Sequence, residues 1–268
     1  MRWLGNYPLE WLRGPWPEIY FIRHGHGFHQ VAREMEKKGL VASPREAIGD
    51  MSNHLIPLSP FGRWQARETG RRLIIKPDCI YSSQIRRAIE TAELIFPGTD
   101  LLIDPRLNER EAGPAHLRSK RELKEAYPDF MARYRMDGHY FATRVPGGEN
   151  FVNLFLKNHS FVGTLKRDWA GKTVVVVCHS AVMNSIRQIF EHFLPDELLR
   201  VSKEQPIENC GILHYRRLPH LWGWRDGKFR LELARPPYRF WQADADQEEY
   251  FWRQAMEEIE SLRASVAR

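Results

Sequence analysis

Two histidines stand where an α/β protein does its chemistry. His24 follows the run EIYFI (18–22) after a single Arg23, and His179 directly follows VVVVC (174–178). Both runs read as short strands, and in open α/β sheets ligands bind beyond the carboxyl ends of the strands. Two clean strand ends that each deliver an imidazole point to one shared site more than to two capping or core groups. Arginine adds the second ingredient. Arg23 adjoins His24, and Arg86-Arg87 follow the strand-end pair Ser82-Ser83. A guanidinium is a fork of donors matched to phosphate oxygens, and strand-end loops and helix N-termini add backbone N–H groups. Together these residues predict a phosphate pocket. The spacing of His24, His26 and His29 also resembles a metal-ligand set, but no carboxylate follows closely, so no metal is expected.

The elements that position these groups alternate along the chain. EIYFI ends in a glycine-punctuated loop, and residues 31–57 look like a partly helical excursion. Ser59-Pro60 opens a helix, with serine as N-cap and proline at the first helical position. CIYSS (79–83) reads as a strand, 85–96 as a helix, LLID (101–104) as a third strand, and 119–135 as a charged helical stretch interrupted at Pro128. Residues 151–165 form a helix that leads into KTVVVVC (172–178), whose unbroken apolar run suits a strand covered on both faces. A helix over 182–194 follows, then added strands in 208–218 and 228–234. This alternation predicts an α/β fold, a single three-layer α/β/α domain with a mostly parallel central sheet. Its core spans about residues 18–215 of 1–268, flanked by an aromatic, proline-rich start and a tail from Asp244. The tail carries Phe251, Ala255, Ile259, Leu262 and Val266 at helical spacing, to lie on the body or on a partner.

Five segments then occur in a telling order: RHG (23–25), SSQIRRAIETAELI (82–95), LNER (107–110), PGGEN (146–150) and VVVVCHS (174–180). With LSPFGRWQA (58–66), this set resembles the histidine phosphatase superfamily, the phosphoglycerate-mutase-like group of phosphatases and mutases. The resemblance covers most of the chain and implies a phosphoglycerate-mutase-like fold. It also implies roles. His24 would attack phosphorus and become a phosphohistidine. Arg23, Arg87 and His179 would bind the phosphoryl oxygens, and Glu109 would protonate the leaving alcohol and then activate water. Gln30 stands where the family usually has Asn, and Ser180 follows the second histidine in place of Gly, so both join the phosphate-binding set. His26 replaces the usual Glu or Gln after RHG. No cofactor is implied.

The mutases' Leu-Asn-Glu-Arg-His-Tyr-Gly reads LNEREAG here, with Glu111 and Ala112 in place of His-Tyr, and the following RSKRELKEAYPDF looks more like the phosphatase branch. A phosphomonoesterase acting on a small phosphorylated substrate is therefore expected. The alternatives are mutase-type phosphoryl transfer and a non-catalytic polyanion- or protein-binding relative. Size selection falls to residues 31–57 and 114–145, and the second stretch holds seven Lys/Arg against four acids.

Composition narrows the class from the other side. Lys+Arg number 40 and Asp+Glu 34, a net charge of +6 that is mild for 268 residues and disfavours nucleic acid as the partner. No run of about 18 apolar residues predicts a membrane span, and the start lacks the pattern of a signal peptide. Three scattered cysteines give no disulfide framework, so the expected location is cytoplasmic. The tail helix is a plausible homodimer element.

Overall fold

The computed structural model describes residues 16–136, 141–144, 147–216, 224–225, 228–229, 232–233 and 238–266. Trp3 and Trp11 of the aromatic start, and the middle of the expected strand 228–234, lie outside these. The described strands are β1 (Glu18–Arg23), β2 (Cys79–Ser82), β3 (Leu102–Ile103), β4 (Thr173–Cys178), β5 (Ile212–Arg216), β6 (Trp224–Arg225), β7 (Lys228–Phe229) and β8 (Glu232–Leu233). The helices are α1 (Phe28–Lys37), α2 (Pro44–Ile48), α3 (Pro60–Arg72), α4 (Arg86–Ile95), α5 (Lys120–Ala126), α6 (Pro128–Met136), α7 (Phe151–Asp168), α8 (Ser180–Glu191), α9 (Pro195–Glu204) and α10 (Ala245–Val266).

The main sheet has the order β3-β2-β4-β1-β5-β8, and β6 and β7 pair separately. From β3 to β1 the strands run parallel, whereas β5 is antiparallel to β1 and β8 to β5. The buried apolar residues of β1 and β4 alternate between two faces, as the pleat requires. Ile19, Phe21, Val174 and Val176 pack with Leu154, Phe161 and Ile186 of α7 and α8. Tyr20, Ile22, Val175 and Val177 pack with Ala66, Ala88 and Ala92 of α3 and α4. This is the three-layer α/β/α arrangement expected from the unbroken apolar run of β4. Truncating a fully buried ring such as Phe161 costs about 3–5 kcal/mol.

A third apolar cluster lies outside the sheet. Phe28, with Val31, Ala47 and Ile48 of the 31–57 excursion, closes on Ala255 and Ile259 of α10, with Leu262 and Val266 packed against them. Ala255, Ile259, Leu262 and Val266 of the tail's apolar stripe therefore rest on the chain's own body. At the other end, Trp16 meets Phe190 edge-on at 6.0 Å between ring centroids.

The charged 119–135 stretch breaks at Pro128 as expected: α5 ends at Ala126 and Pro128 opens α6, because a ring without N–H is harmless in a first turn. Two local expectations change. The helix after β4 starts at Ser180, since His179 is already its N-cap, and it stops at His192, which is left-handed at φ 58°. The LLID segment pairs only through Leu102 and Ile103, at an exposed sheet edge. All three cysteines are buried and free. Among the described residues no helix is long and apolar enough to cross a membrane.

Candidate active site

Strand register brings the two histidines together. Arg23 pairs with Cys178 across β1 and β4, so His24 and His179 leave adjacent strands at the same level, and the His24 N–H donates to the Cys178 carbonyl at 2.9 Å. Their rings sit 5.0 Å apart. His24 is 2% exposed. Its Nδ1 lies 2.7 Å from the Gly25 carbonyl, which can only accept, so Nδ1 carries the proton and Nε2 keeps a lone pair. Arg87 Nε–H approaches that Nε2 at 3.4 Å. Burial, with the Arg87 charge beside it, holds the His24 imidazole well below the usual histidine range.

The motif residues act as braces for this loop. Along the α4 segment, positions 83, 87 and 91 fall on one side. Ser83 Oγ receives His179 Nε2–H at 2.9 Å, Arg87 reaches His24, and Thr91 Oγ1 accepts the Gly25 N–H at 3.0 Å. Asn108 of the LNER segment accepts from Ser83 Oγ at 2.9 Å, which orients that hydroxyl toward His179 as an acceptor. From α3, Gln65 Oε1 accepts the His26 N–H at 2.9 Å, while the Ser59 N–H donates to the His26 carbonyl at 2.9 Å. Gly62 lies against the same backbone: a Cβ there would stand 2.0 Å from the His26 oxygen. The LSPFGRWQA segment thus clamps the loop that follows β1.

Arg87 is almost fully buried, donates from Nη1 to the Asn53 carbonyl and Oδ1 at 3.0 and 3.1 Å, and has its pKa lowered by burial to about 10. Arg23 Nη1 donates to the Ile207 carbonyl at 2.7 Å, and its Nε is buried without a partner. His179 Nδ1 is likewise buried without one. Its ring is held well below the usual range by burial, then by the charge of Arg87. Two cations and neutral imidazoles share a desolvated space, a field that favours a polyanion.

His24, Arg23, Arg87, Glu109 and Ser180 line one cavity of about 220 Å³, joined by His29, Asn53 and His116. Glu109 is half-buried, and its two oxygens accept from the backbone N–H groups of Arg110 at 2.8 Å and Ala181 at 3.4 Å. The second bond ties Glu109 to the N-terminus of α8, the positive end of that helix. Gln30 is placed elsewhere. Its Oε1 accepts from Gly27 N–H at 3.2 Å and Asn209 Nδ2 at 3.1 Å, and its Nε2 donates to Asn209 Oδ1 at 2.9 Å. His26 turns to Ser59 Oγ and Glu34 at 2.8 and 3.1 Å, away from His24, so the three histidines of H-x-H-x-x-H do not converge. Arg86 also faces outward, to Glu90 at 2.7 Å.

Sequence reasoning missed Asn53, which steers Arg87 from the 31–57 excursion, and Asn209, whose Nδ2 donates to the His24 carbonyl at 3.0 Å. Neither sits in a motif that marks it. A second cavity of about 770 Å³ adjoins the first and shares Arg33, Arg110, Ala112 and Ala115 with it. Arg118, Lys120 and Arg121 line it beside half-buried Leu123, Phe130 and Met131.

Comparison with known proteins agrees with this geometry. Residues 19–226 match the sequence profile described as "Histidine phosphatase superfamily (branch 1)". A 2,3-bisphosphoglycerate-dependent phosphoglycerate mutase of Bifidobacterium longum (strain DJO10A) is 28% identical over 177 residues, 55% of this chain and 72% of that protein. In structure, YhfR of Bacillus stearothermophilus superposes with a TM-score of 0.62 at 22% identity, covering 81% of this chain and 95% of that one. A mycobacterial glucosyl-3-phosphoglycerate phosphatase superposes with a TM-score of 0.59 at 19% identity, covering 85% and 100%.

Proposed function

The chain belongs to the histidine phosphatase superfamily (branch 1), and from that premise we propose that it is a phosphomonoesterase working through a phosphohistidine on His24. One observation carries the reading: His24, whose Nε2 is left unprotonated by the Nδ1–H bond to Gly25, lines a cavity that also holds half-buried Arg23, buried Arg87 and the Glu109 carboxylate. A neutral imidazole in a cationic pocket is a nucleophile aimed at a phosphoryl dianion.

In the first step Nε2 attacks phosphorus, the P–O bond to the leaving group breaks, and Glu109 supplies the proton that makes the alcohol. Arg23 and Arg87 neutralise the phosphoryl oxygens as charge spreads over them. In the second step Glu109 takes a proton from water, the water oxygen attacks phosphorus, and the P–N bond returns its electron pair to Nε2. Inorganic phosphate leaves. No step calls for a metal or an organic cofactor.

The leaving group would extend into the adjoining cavity, where arginines and lysines meet apolar side chains. Its size supports a phosphorylated small molecule as substrate. Mutase-type transfer is the second reading, favoured by the Bifidobacterium relative. Against it, Glu111 and Ala112 replace the His-Tyr of the mutases, and Glu111 is engaged by His54 at 3.2 Å. The deciding experiment measures phosphate release from a panel of phosphomonoesters alongside interconversion of 2- and 3-phosphoglycerate. Release abolished in His24→Ala, with no efficient interconversion, is the expected result. Efficient interconversion would favour the mutase, and turnover retained in His24→Ala would refute the nucleophile and return the idle binding relative.

A further inference from the structure

A phosphoryl group presents three non-bridging oxygens, and the donors around His24 are partly committed before it arrives. Arg23 Nη1 is given to Ile207 and Arg87 Nη1 to Asn53. The amide at position 30, which the family pattern would offer to phosphate, is occupied on both its atoms by Asn209 and Gly27. One residue earlier stands an imidazole to which neither the motif nor the mechanism gives a task.

His29 lines the catalytic cavity, with its ring centroid 5.5 Å from that of His24. Its Nδ1 is sealed against Gly27 without a hydrogen-bond partner, close enough that a Cβ on that glycine would lie 2.7 Å away. A sealed lone pair is tolerated more readily than a sealed N–H, so the proton of the neutral ring belongs on Nε2. Nε2 is also the nitrogen left to address the cavity. Burial, then the charge of Arg87, keeps this ring neutral, well below the usual histidine range.

We propose that His29 is a phosphate-binding residue of this chain, its Nε2–H donating to a phosphoryl oxygen in place of the amide turned away at position 30. The inference rests on the reading of His24 as the phosphoryl acceptor, but it can be tested without turnover.

The experiment measures inorganic phosphate binding by calorimetry, and KM and kcat for p-nitrophenyl phosphate, in the full chain carrying His29→Phe, His29→Gln or Gln30→Ala. Phenylalanine keeps the ring and removes the donor; glutamine keeps a neutral donor on a flexible arm. Loss of one hydrogen bond predicts an approximately tenfold weaker phosphate affinity in His29→Phe. A matching rise in KM is expected, with Tm unchanged or higher and partial recovery in His29→Gln. Wild-type phosphate affinity in His29→Phe overturns the proposal. So does a tenfold loss in Gln30→Ala that His29→Phe does not share, and so does a loss in His29→Gln as large as in His29→Phe. Turnover retained in His24→Ala would instead refute the nucleophile, and the phosphate affinities would still decide the role of His29.

Discussion

Arg87→Met separates what the site costs from what it does. Arg87 is 2% exposed, and burial lowers its pKa from 12.5 to about 10. At neutral pH both the folded and the unfolded chain carry the charge, so the folded protein bears a penalty of about 3 kcal/mol for holding it, at 1.36 kcal/mol per tenfold change in proton affinity. Methionine fills similar space without charge. The change also removes the two Nη1 bonds to Asn53, at about 1 kcal/mol each. The balance makes the empty variant more stable by about 1 kcal/mol, a rise in Tm of about 2–3 °C. Function moves the other way. A charged donor to a phosphoryl oxygen contributes about 1.5–3 kcal/mol, and more as transition-state charge develops, so kcat/KM falls at least about 100-fold. Thermal melts with and without inorganic phosphate, read beside steady-state kinetics, check both halves. Phosphate should raise the Tm of the wild type and do much less for the variant. A Tm several degrees below wild type would refute the burial argument, and kcat/KM within tenfold would refute the phosphate role.

Four further outcomes follow from the same geometry. Because the nucleophile must be neutral and its pKa lies well below 6.5, kcat/KM should stay level as pH falls through 6.5 and drop only at lower pH; a wild-type acid limb at or above 6.5 would contradict this. His24, His29 and His179 all resist protonation when folded, whereas the unfolded chain takes up those protons, so stability should decline as pH falls below about 6.5. Gly62→Ala drives a Cβ into the His26 carbonyl and should cost at least about 2–3 kcal/mol and more than tenfold in kcat/KM. A wild-type Tm and rate would show that the clamp can yield. Ile259→Ala, on the α10 face buried against the excursion, should lose about 2–4 kcal/mol in denaturant melts while kcat/KM stays within about twofold. A large rate loss in that variant would mean that α10 reaches the catalytic cavity.

Much of this protein was legible before folding because its signals are local. The unbroken valines of β4 required cover on both faces, and strand ends followed by histidine required a site at the carboxyl edge. The motif residues Ser59, Gln65, Ser83 and Asn108 stood out as a pattern, yet only the fold showed them to be braces on the loop after β1 and on His179. What stayed hidden depends on distances between segments remote in sequence. Asn53 meets Arg87 across 34 positions and Asn209 meets the His24 carbonyl across 185, and no local periodicity encodes such pairs. The same holds for side-chain direction. Sequence placed His26, His29 and Gln30 within a few residues of the nucleophile, but helix geometry at the start of α1 decided that His29 lines the cavity while Gln30 turns to Asn209 and His26 to Ser59. The tail helix makes the point for packing: its apolar stripe was readable, but the face of α1 and α2 on which it rests was set by the fold. Residue types and their order determined the chemistry this chain can perform; the tertiary structure decided which atoms are free to perform it, because hydrogen-bond partners and burial are properties of the assembled fold.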